Sequence, residues 1–194
     1  MVGLFESYLR RLFEEHLFEL GEYDWAIPFN ELPFAIQKTS VYSSLELSLK
    51  PPKYLKKKDK FDELAEITKV CQSISSGKVV SKGFGDTRNS ANSELVREMF
   101  KRVGINEIFK NIENDFIFHW GCPISSSFIF NKLDEIVGRR HNVAHGQILN
   151  IARNDLYESI KFLRILSLVL DNRMGILISE IIASKHPEYL LNFI

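Results

Sequence analysis

The feature that most constrains this fold is the spacing of its apolar residues, which recur every three or four positions. Side chains at that spacing lie on one face of a helix. Residues 2–20 show the pattern most clearly, with acidic and arginine side chains off the apolar stripe. The stripe consists of Leu4, Phe5, Tyr8, Leu9, Leu12 and Phe13. Since no segment is long or alternating enough to found a sheet, the sequence predicts an all-α fold.

Helix boundaries follow from caps, glycines and prolines. Further helices are predicted over residues 34–49, 62–75, 93–103 and 107–114, from about 127 into the segment around 140, and over 155–185. Asn92 or Ser93 is expected to cap the helix over 93–103, and Asn154 the last one. Segment 116–127 is expected to be irregular. The Gly- and Ser-rich stretch 76–92 predicts a loop with a short strand at 78–81.

The chain of 194 residues suits one domain, and we predict a single helical bundle over residues 1–194. The helices that carry the motif described below span about residues 127–185. A basic and loop-rich insertion occupies about residues 50–92. Fifteen Phe, six Tyr and two Trp supply material for a sizeable core, which excludes wholesale disorder.

The formal charge is zero, with 25 basic and 25 acidic residues, which excludes a uniformly basic nucleic-acid binder. The charge is unevenly distributed, however. Residues 50–110 hold 14 basic and 8 acidic side chains, whereas residues 1–49 hold 3 and 8. Six lysines lie within residues 50–60, among them Lys56, Lys57 and Lys58. This run is either a footprint for phosphates or a solvated loop.

Two cysteines, Cys71 and Cys122, form no CxxC pair, so neither a disulfide framework nor a thiolate zinc site is indicated. The first 20 residues place acids and arginines among their apolar residues, which a signal peptide does not do. No run of about 20 apolar residues is long enough to span a bilayer. We therefore expect a soluble cytoplasmic protein with no membrane association.

Only one stretch is dense in residues with catalytic chemistry, DEIVGRRHNVAHG over residues 134–146. On a helix, His141 and His145 lie about 40° apart and share a face, whereas Arg140 and His145 lie about 140° apart. Imidazole titrates near neutral pH and moves protons, and guanidinium holds a phosphate bidentately. The combination points to phosphodiester chemistry.

The segment Arg140-His-Asn-Val-Ala-His-Gly146 resembles the R-polar-x-x-x-H motif of HEPN-domain ribonucleases. It is most similar to the bacterial branch that includes the RiboL-PSP-HEPN-like families, where the motif reads R-N-x-I-A-H-G. Residues 92–105 also resemble a helix-then-Gly-Ile segment of that branch. The resemblance spans roughly residues 90–185.

This resemblance implies a helical bundle that dimerises, so that two motifs form one composite cleft. It also implies metal-independent RNA cleavage by attack of the 2′-hydroxyl, without a cofactor. Arg140 and His145 would be the motif residues, His141 would replace the usual Asn, and Asn142 would help to orient the RNA. Arg139 is the alternative motif arginine and otherwise an RNA contact, together with the lysines at 56–58. Family context points to a toxin or antiviral defence effector, restrained by an antitoxin or a sensor protein.

Two other interpretations remain open for the motif. His141 and His145 could bind zinc, although the Glu of an H-E-x-x-H motif is absent. Alternatively, Arg140 and His145 could serve the helix terminus, where cations are favoured by the helix dipole. In that case the chain is a non-catalytic interaction or RNA-binding module that keeps the HEPN fold.

Overall fold

The structure, a computed structural model, describes residues 1–22, 27–49, 60–87, 91–146 and 152–186. Its helices are α1 (Val2–Glu22), α2 (Phe34–Leu49), α3 (Lys60–Ser75), α4 (Ser93–Lys101), α5 (Ile108–Asn111), α6 (Glu113–Trp120), α7 (Ser126–Ala144) and α8 (Arg153–Lys185). Two short 3-10 turns lie at Phe29–Glu31 and Ser81–Gly83. The described residues contain no strand, and the all-α prediction is confirmed. The strand predicted at 78–81 is wrong, because this segment leads directly into the second 3-10 turn.

Helix α8 is the longest element and packs against α1 and α6. The seam between α1 and α8 is apolar, with two polar links. The hydroxyl of Tyr8 donates to the carbonyl of Ser167 at 2.6 Å, and His16 Nε2 lies 3.2 Å from an Asp171 carboxylate oxygen. Burial, reinforced by the negative charge of Asp171, raises the pKa of Tyr8 well above its usual value. These links hold α1 along the middle of α8.

Helix α4 begins at a well-formed cap and is fastened there to α7. The side chain of Asn92 accepts a hydrogen bond from the Leu95 amide at 2.9 Å, which makes Asn92 the N-cap residue. Ser93 donates from its amide and from its hydroxyl to the two carboxylate oxygens of Asp134, each at 2.7 Å. Gly104, with φ of +96°, turns the chain after α4, as its sequence position predicts.

The prediction of an irregular segment over 116–127 is wrong in its first half, because α6 continues to Trp120. Phe116 is fully buried in that helix, and Gly121, with φ of +90°, ends it. The rings of Phe116 and Trp120 join those of Phe128 and Phe162, with centroid separations between 5.4 and 6.5 Å. The aromatic residues that obscured the helical pattern are therefore the ones that stabilise this helix.

Two smaller expectations for α8 also need correction. The helix begins at Arg153 rather than Asp155, and its N-cap is Ala152, without a side-chain hydrogen bond. The carboxylate of Asp155 contacts Arg139 of α7 instead. The helix continues without interruption through Gly175.

Candidate active site at the end of helix α7

Helix α7 extends beyond the part of it that is buried. Its buried residues are Ile129, Leu133 and Ile136, all in its first eleven positions. The last two turns, residues 137–144, contribute none. These turns are supported by Val137, which is partly buried against the core, and by the ion pairs of Arg139. The motif side chains Arg140, His141 and His145 are exposed at this end of the helix.

The two motif histidines stand side by side at the end of α7. The centroids of the His141 and His145 rings are 4.3 Å apart, with 58° between the ring planes, which confirms the predicted shared face. Both side chains are exposed. The His145 amide donates to the His141 carbonyl at 3.1 Å, and Gly146 then adopts φ of +70°. A glycine at this position lets the chain leave the helix directly after His145.

The two neighbouring arginines of the motif have different surroundings. Arg140 is exposed and makes no hydrogen bond or ion pair with any residue the structure describes. Arg139 is half-buried and contacts two carboxylates, those of Glu135 and Asp155, the latter at 3.3 Å. Two acidic partners leave Arg139 little capacity for a phosphate. The geometry therefore favours Arg140 as the motif arginine.

The acidic partners of Arg139 belong to a network that links α7 to α8. Lys132 lies 3.3 Å from Glu135 and 3.1 Å from Glu158. Burial alone would lower the pKa of Lys132, but hydrogen bonds to Glu158 and Glu135, together with their charges, raise it above its usual value. The network orients the final turns of α7 relative to the first turns of α8.

Arg140 is the cation at the motif end that is available to an anion. Arg140 lies in the last turns of α7, and no carboxylate among the described residues pairs with it. Asn142, which lies between the two histidines in the sequence, is half-buried. Within the described part of the chain, no group of three or more His, Cys, Asp or Glu side chains is arranged to hold a metal ion.

The lysines predicted to contact RNA, Lys56, Lys57 and Lys58, lie outside the described residues.

None of the helices in the described segments is long and apolar enough to cross a membrane.

The sequence reasoning missed the role of the acids around the motif. Asp134 anchors α4, while Glu135, Asp155 and Glu158 neutralise Lys132 and Arg139. The spacing of Lys132, Glu135 and Arg139 at i, i+3 and i+7 was a usable signal for ion pairs within α7. The ion pairs between α7 and α8 have no such signal in the sequence, because they depend on how the two helices pack.

A comparison with models of protein families identifies the family of the chain. The model of the RiboL-PSP-HEPN family matches residues 1–175, which include α1 to α7, the motif and most of α8. The chain therefore belongs to the RiboL-PSP-HEPN family, a family of HEPN domains. This membership indicates a nuclease-like or RNA-related function. Neither a curated protein nor a solved structure gives a significant match.

Proposed function

We propose that this protein is a metal-independent endoribonuclease that acts as a homodimer. The observation that carries the proposal is the contrast at the end of α7. Arg140 is exposed and has no partner among the described residues, and two adjacent imidazoles are exposed in the same turns, while the neighbouring Arg139 is neutralised by carboxylates. Polar groups that a fold leaves without partners are available to a ligand, and these groups suit a phosphodiester.

In the proposed reaction, the ribose 2′-oxygen attacks the adjacent phosphorus and the bond to the 5′-oxygen breaks. His145 takes the proton from the 2′-hydroxyl or delivers one to the leaving oxygen. Arg140 binds the nonbridging oxygens and offsets the charge that develops on them. His141 and Asn142 orient these groups or the RNA. The products are a 2′,3′-cyclic phosphate and a 5′-hydroxyl, and no water or metal ion is consumed.

Apolar side chains near the motif support the dimer. Val143 is 43% exposed in the last turn of α7, and Leu156 and Ile160 are 44% and 38% exposed one turn apart on α8. Exposed apolar residues are a recurrent feature of protein interfaces, and these three lie in the last turn of α7 and the first turns of α8. A second copy that covers them would bring its own Arg140 and His145 close to the first pair. An aspartate at Leu156 or Ile160 should therefore shift sedimentation toward the monomer and reduce cleavage.

The direct test compares cleavage of RNA by the wild type and by the variants Arg140→Ala and His145→Ala, all in excess EDTA. Each substitution should lower the rate at least about 100-fold, in line with the loss of a proton-transfer or charge-stabilising group. Arg139→Ala is the matched control, since it removes the adjacent arginine, and it should retain most of the activity. Product ends should carry a cyclic phosphate and a 5′-hydroxyl.

Several results would contradict the proposal. Activity that disappears with EDTA would favour a metal site on His141 and His145. Equal losses in Arg139→Ala and Arg140→Ala would remove the distinction between the two arginines. If the wild-type dimer cleaves no RNA, the alternative function is a non-catalytic interaction or RNA-binding module that keeps the HEPN fold.

We further propose that the protein is a toxin or antiviral defence effector restrained by an antitoxin or a sensor protein. The support for this role is membership of the HEPN family. Expression in bacteria should arrest growth, and either Arg140→Ala or His145→Ala should relieve the arrest. Growth arrest that persists in both variants would show that toxicity does not depend on the motif.

A further inference from the structure

The outer face of the first half of α8 carries a stripe of cations around one tyrosine. The stripe consists of four exposed residues at positions i, i+4, i+8 and i+11, namely Arg153, Tyr157, Lys161 and Arg164. This spacing places them on one side of the helix, opposite the buried Ser159 and Leu166. We call these four residues the α8 stripe. At 1.5 Å per residue it is about 16 Å long.

The stripe is electropositive because the acids in this half of α8 are paired elsewhere. Asp155 contacts Arg139, and Glu158 contacts Lys132, both on α7. The three stripe cations have no carboxylate partner among the described residues. The protein as a whole is neutral, so three uncompensated charges along one helix face form a local anion-binding surface.

Two stripe side chains are held in place by aromatic contacts rather than by acids. Arg153 donates from Nε and from a terminal nitrogen to the Tyr157 hydroxyl, at 3.3 and 2.9 Å. Its guanidinium carbon lies 5.3 Å from the centre of the Tyr157 ring. The Lys161 ammonium lies 4.5 Å above the Trp120 ring and donates to the Trp120 carbonyl at 3.1 Å. Both cations are therefore oriented before any ligand binds.

Tyr157 differs from Trp120 in what it offers to a ligand. Trp120 packs into the aromatic cluster and is partly covered by Lys161, so its ring is occupied. The Arg153 guanidinium also lies over the Tyr157 ring, but Tyr157 packs into no aromatic cluster among the described residues and remains 56% exposed between two cations. An exposed ring flanked by cations combines base stacking with phosphate contacts, as surfaces that bind single-stranded nucleic acid do.

The first turn of α8, where the stripe begins, lies next to the end of α7, because Asp155 in that turn contacts Arg139 of α7. The stripe residues lie on the opposite side of α8 from Asp155, since residues two positions apart on a helix point about 160° apart. Together these observations point to one ligand, and we infer that the α8 stripe binds the single-stranded RNA that flanks the scissile phosphate. This inference rests on the proposed function. Arg153, Lys161 and Arg164 contact phosphates, and Tyr157 stacks on one base.

The test measures binding separately from cleavage. In the His145→Ala background, fluorescence anisotropy follows a labelled single-stranded RNA of about 12 nucleotides over a range of salt concentrations. Replacing Arg153, Lys161 and Arg164 together by Gln should reduce the slope of log affinity against log salt by about 2, at about 0.7 per phosphate contact. Tyr157→Ala should weaken binding about 5- to 100-fold and leave that slope unchanged.

Matched controls come from other exposed positions. Gln at Lys38, Lys101 and Lys110 removes the same charge from α2, α4 and α5, and Tyr42→Ala removes a tyrosine that is 70% exposed on α2. These control variants should bind RNA like the parent. Because all the changed side chains are exposed, circular dichroism and the thermal midpoint should be unchanged throughout. Single-stranded DNA of the same sequence shows whether binding requires the ribose.

The outcomes separate this inference from the proposed function. Stripe variants that bind RNA as tightly as the parent, or a parent that binds no RNA, overturn the inference. Cleavage by the wild type with an unchanged KM in the stripe variants overturns it while the nuclease proposal stands. RNA binding that depends on the stripe in a wild type without cleavage supports the inference and contradicts the nuclease proposal. Loss of binding to a protein partner, with RNA binding intact, would assign the stripe to protein docking.

Discussion

The two ends of α7 differ in what satisfies their side chains. At the start, Phe128 joins the aromatic cluster, Ile129 and Leu133 are buried, and Asp134 accepts two hydrogen bonds from Ser93. At the end, Arg140 has no partner among the described residues and both histidines are exposed. The first half of α7 therefore contributes to the packed core, whereas the second half leaves the motif side chains exposed.

This difference indicates how stability and function are divided. Side chains that contact one another contribute to the free energy of unfolding, whereas groups left without partners contribute little to it and remain available for ligands. If the division is correct, substitutions at the two ends should have separable effects on stability and on activity. Four predictions test it, from the largest expected change in stability to the smallest.

The largest effect is expected at the aromatic cluster beside the start of α7. Phe162 is fully buried and its ring contacts those of Phe116, Trp120 and Phe128. Phe162→Ala should lower the free energy of unfolding by about 3–5 kcal/mol, since it removes a large apolar side chain and leaves a cavity. Urea denaturation measures this change. A loss below about 1 kcal/mol would mean that the cluster does not support this end of the bundle.

The second effect concerns the link between α7 and α4. Asp134→Ala should cost about 1–2 kcal/mol, because the Ser93 amide and hydroxyl lose their acceptor at the start of a helix. Its neighbour Glu135 is the matched control, since the ion pairs of Glu135 are partly exposed and should be worth less than about 1 kcal/mol. Thermal denaturation of the two variants compares them. A larger fall in the thermal midpoint for Glu135→Ala than for Asp134→Ala would contradict this prediction.

The third prediction applies the same rule to a partnered polar group at the seam between α1 and α8. Tyr8→Phe should cost about 1 kcal/mol at pH 8, because the Ser167 carbonyl loses its donor. The raised pKa of Tyr8 means that its contribution is present below the unfolded pKa of about 10 and declines as the pH rises beyond it. In urea unfolding, the difference in free energy of unfolding between the wild type and Tyr8→Phe should therefore be smaller at pH 11 than at pH 8. An advantage that is equal at both pH values contradicts this explanation.

The smallest change in stability is expected at the motif end. Arg140→Ala and His145→Ala should each alter the free energy of unfolding by no more than about 0.5 kcal/mol, since neither side chain is buried or paired with a described residue. Urea denaturation of the variants used in the cleavage assay provides the measurement. A destabilisation above about 1.5 kcal/mol would show that the motif is structural, and a loss of cleavage would then carry no mechanistic weight.

Much of the fold was predictable from local patterns. The limits of α2 and the cap at Asn92 follow from prolines and hydrogen-bonding side chains that act within a few residues. The shared face of His141 and His145 follows from helical geometry alone. Helix α6 was not predicted, because its stability comes from contacts between Phe116 and rings that are distant in the sequence.

The sequence by itself determined the all-α class and the position and residue types of the motif. These properties depend on residue spacing along single helices, which the sequence states directly. Only the tertiary structure decided which of the two arginines has an acidic partner on a second helix. Arg139 and Arg140 are adjacent in the sequence, but Arg139 contacts Asp155 of a second helix and Arg140 contacts no carboxylate among the described residues. That distinction arises because the contact between α7 and α8 is set by packing rather than by local sequence.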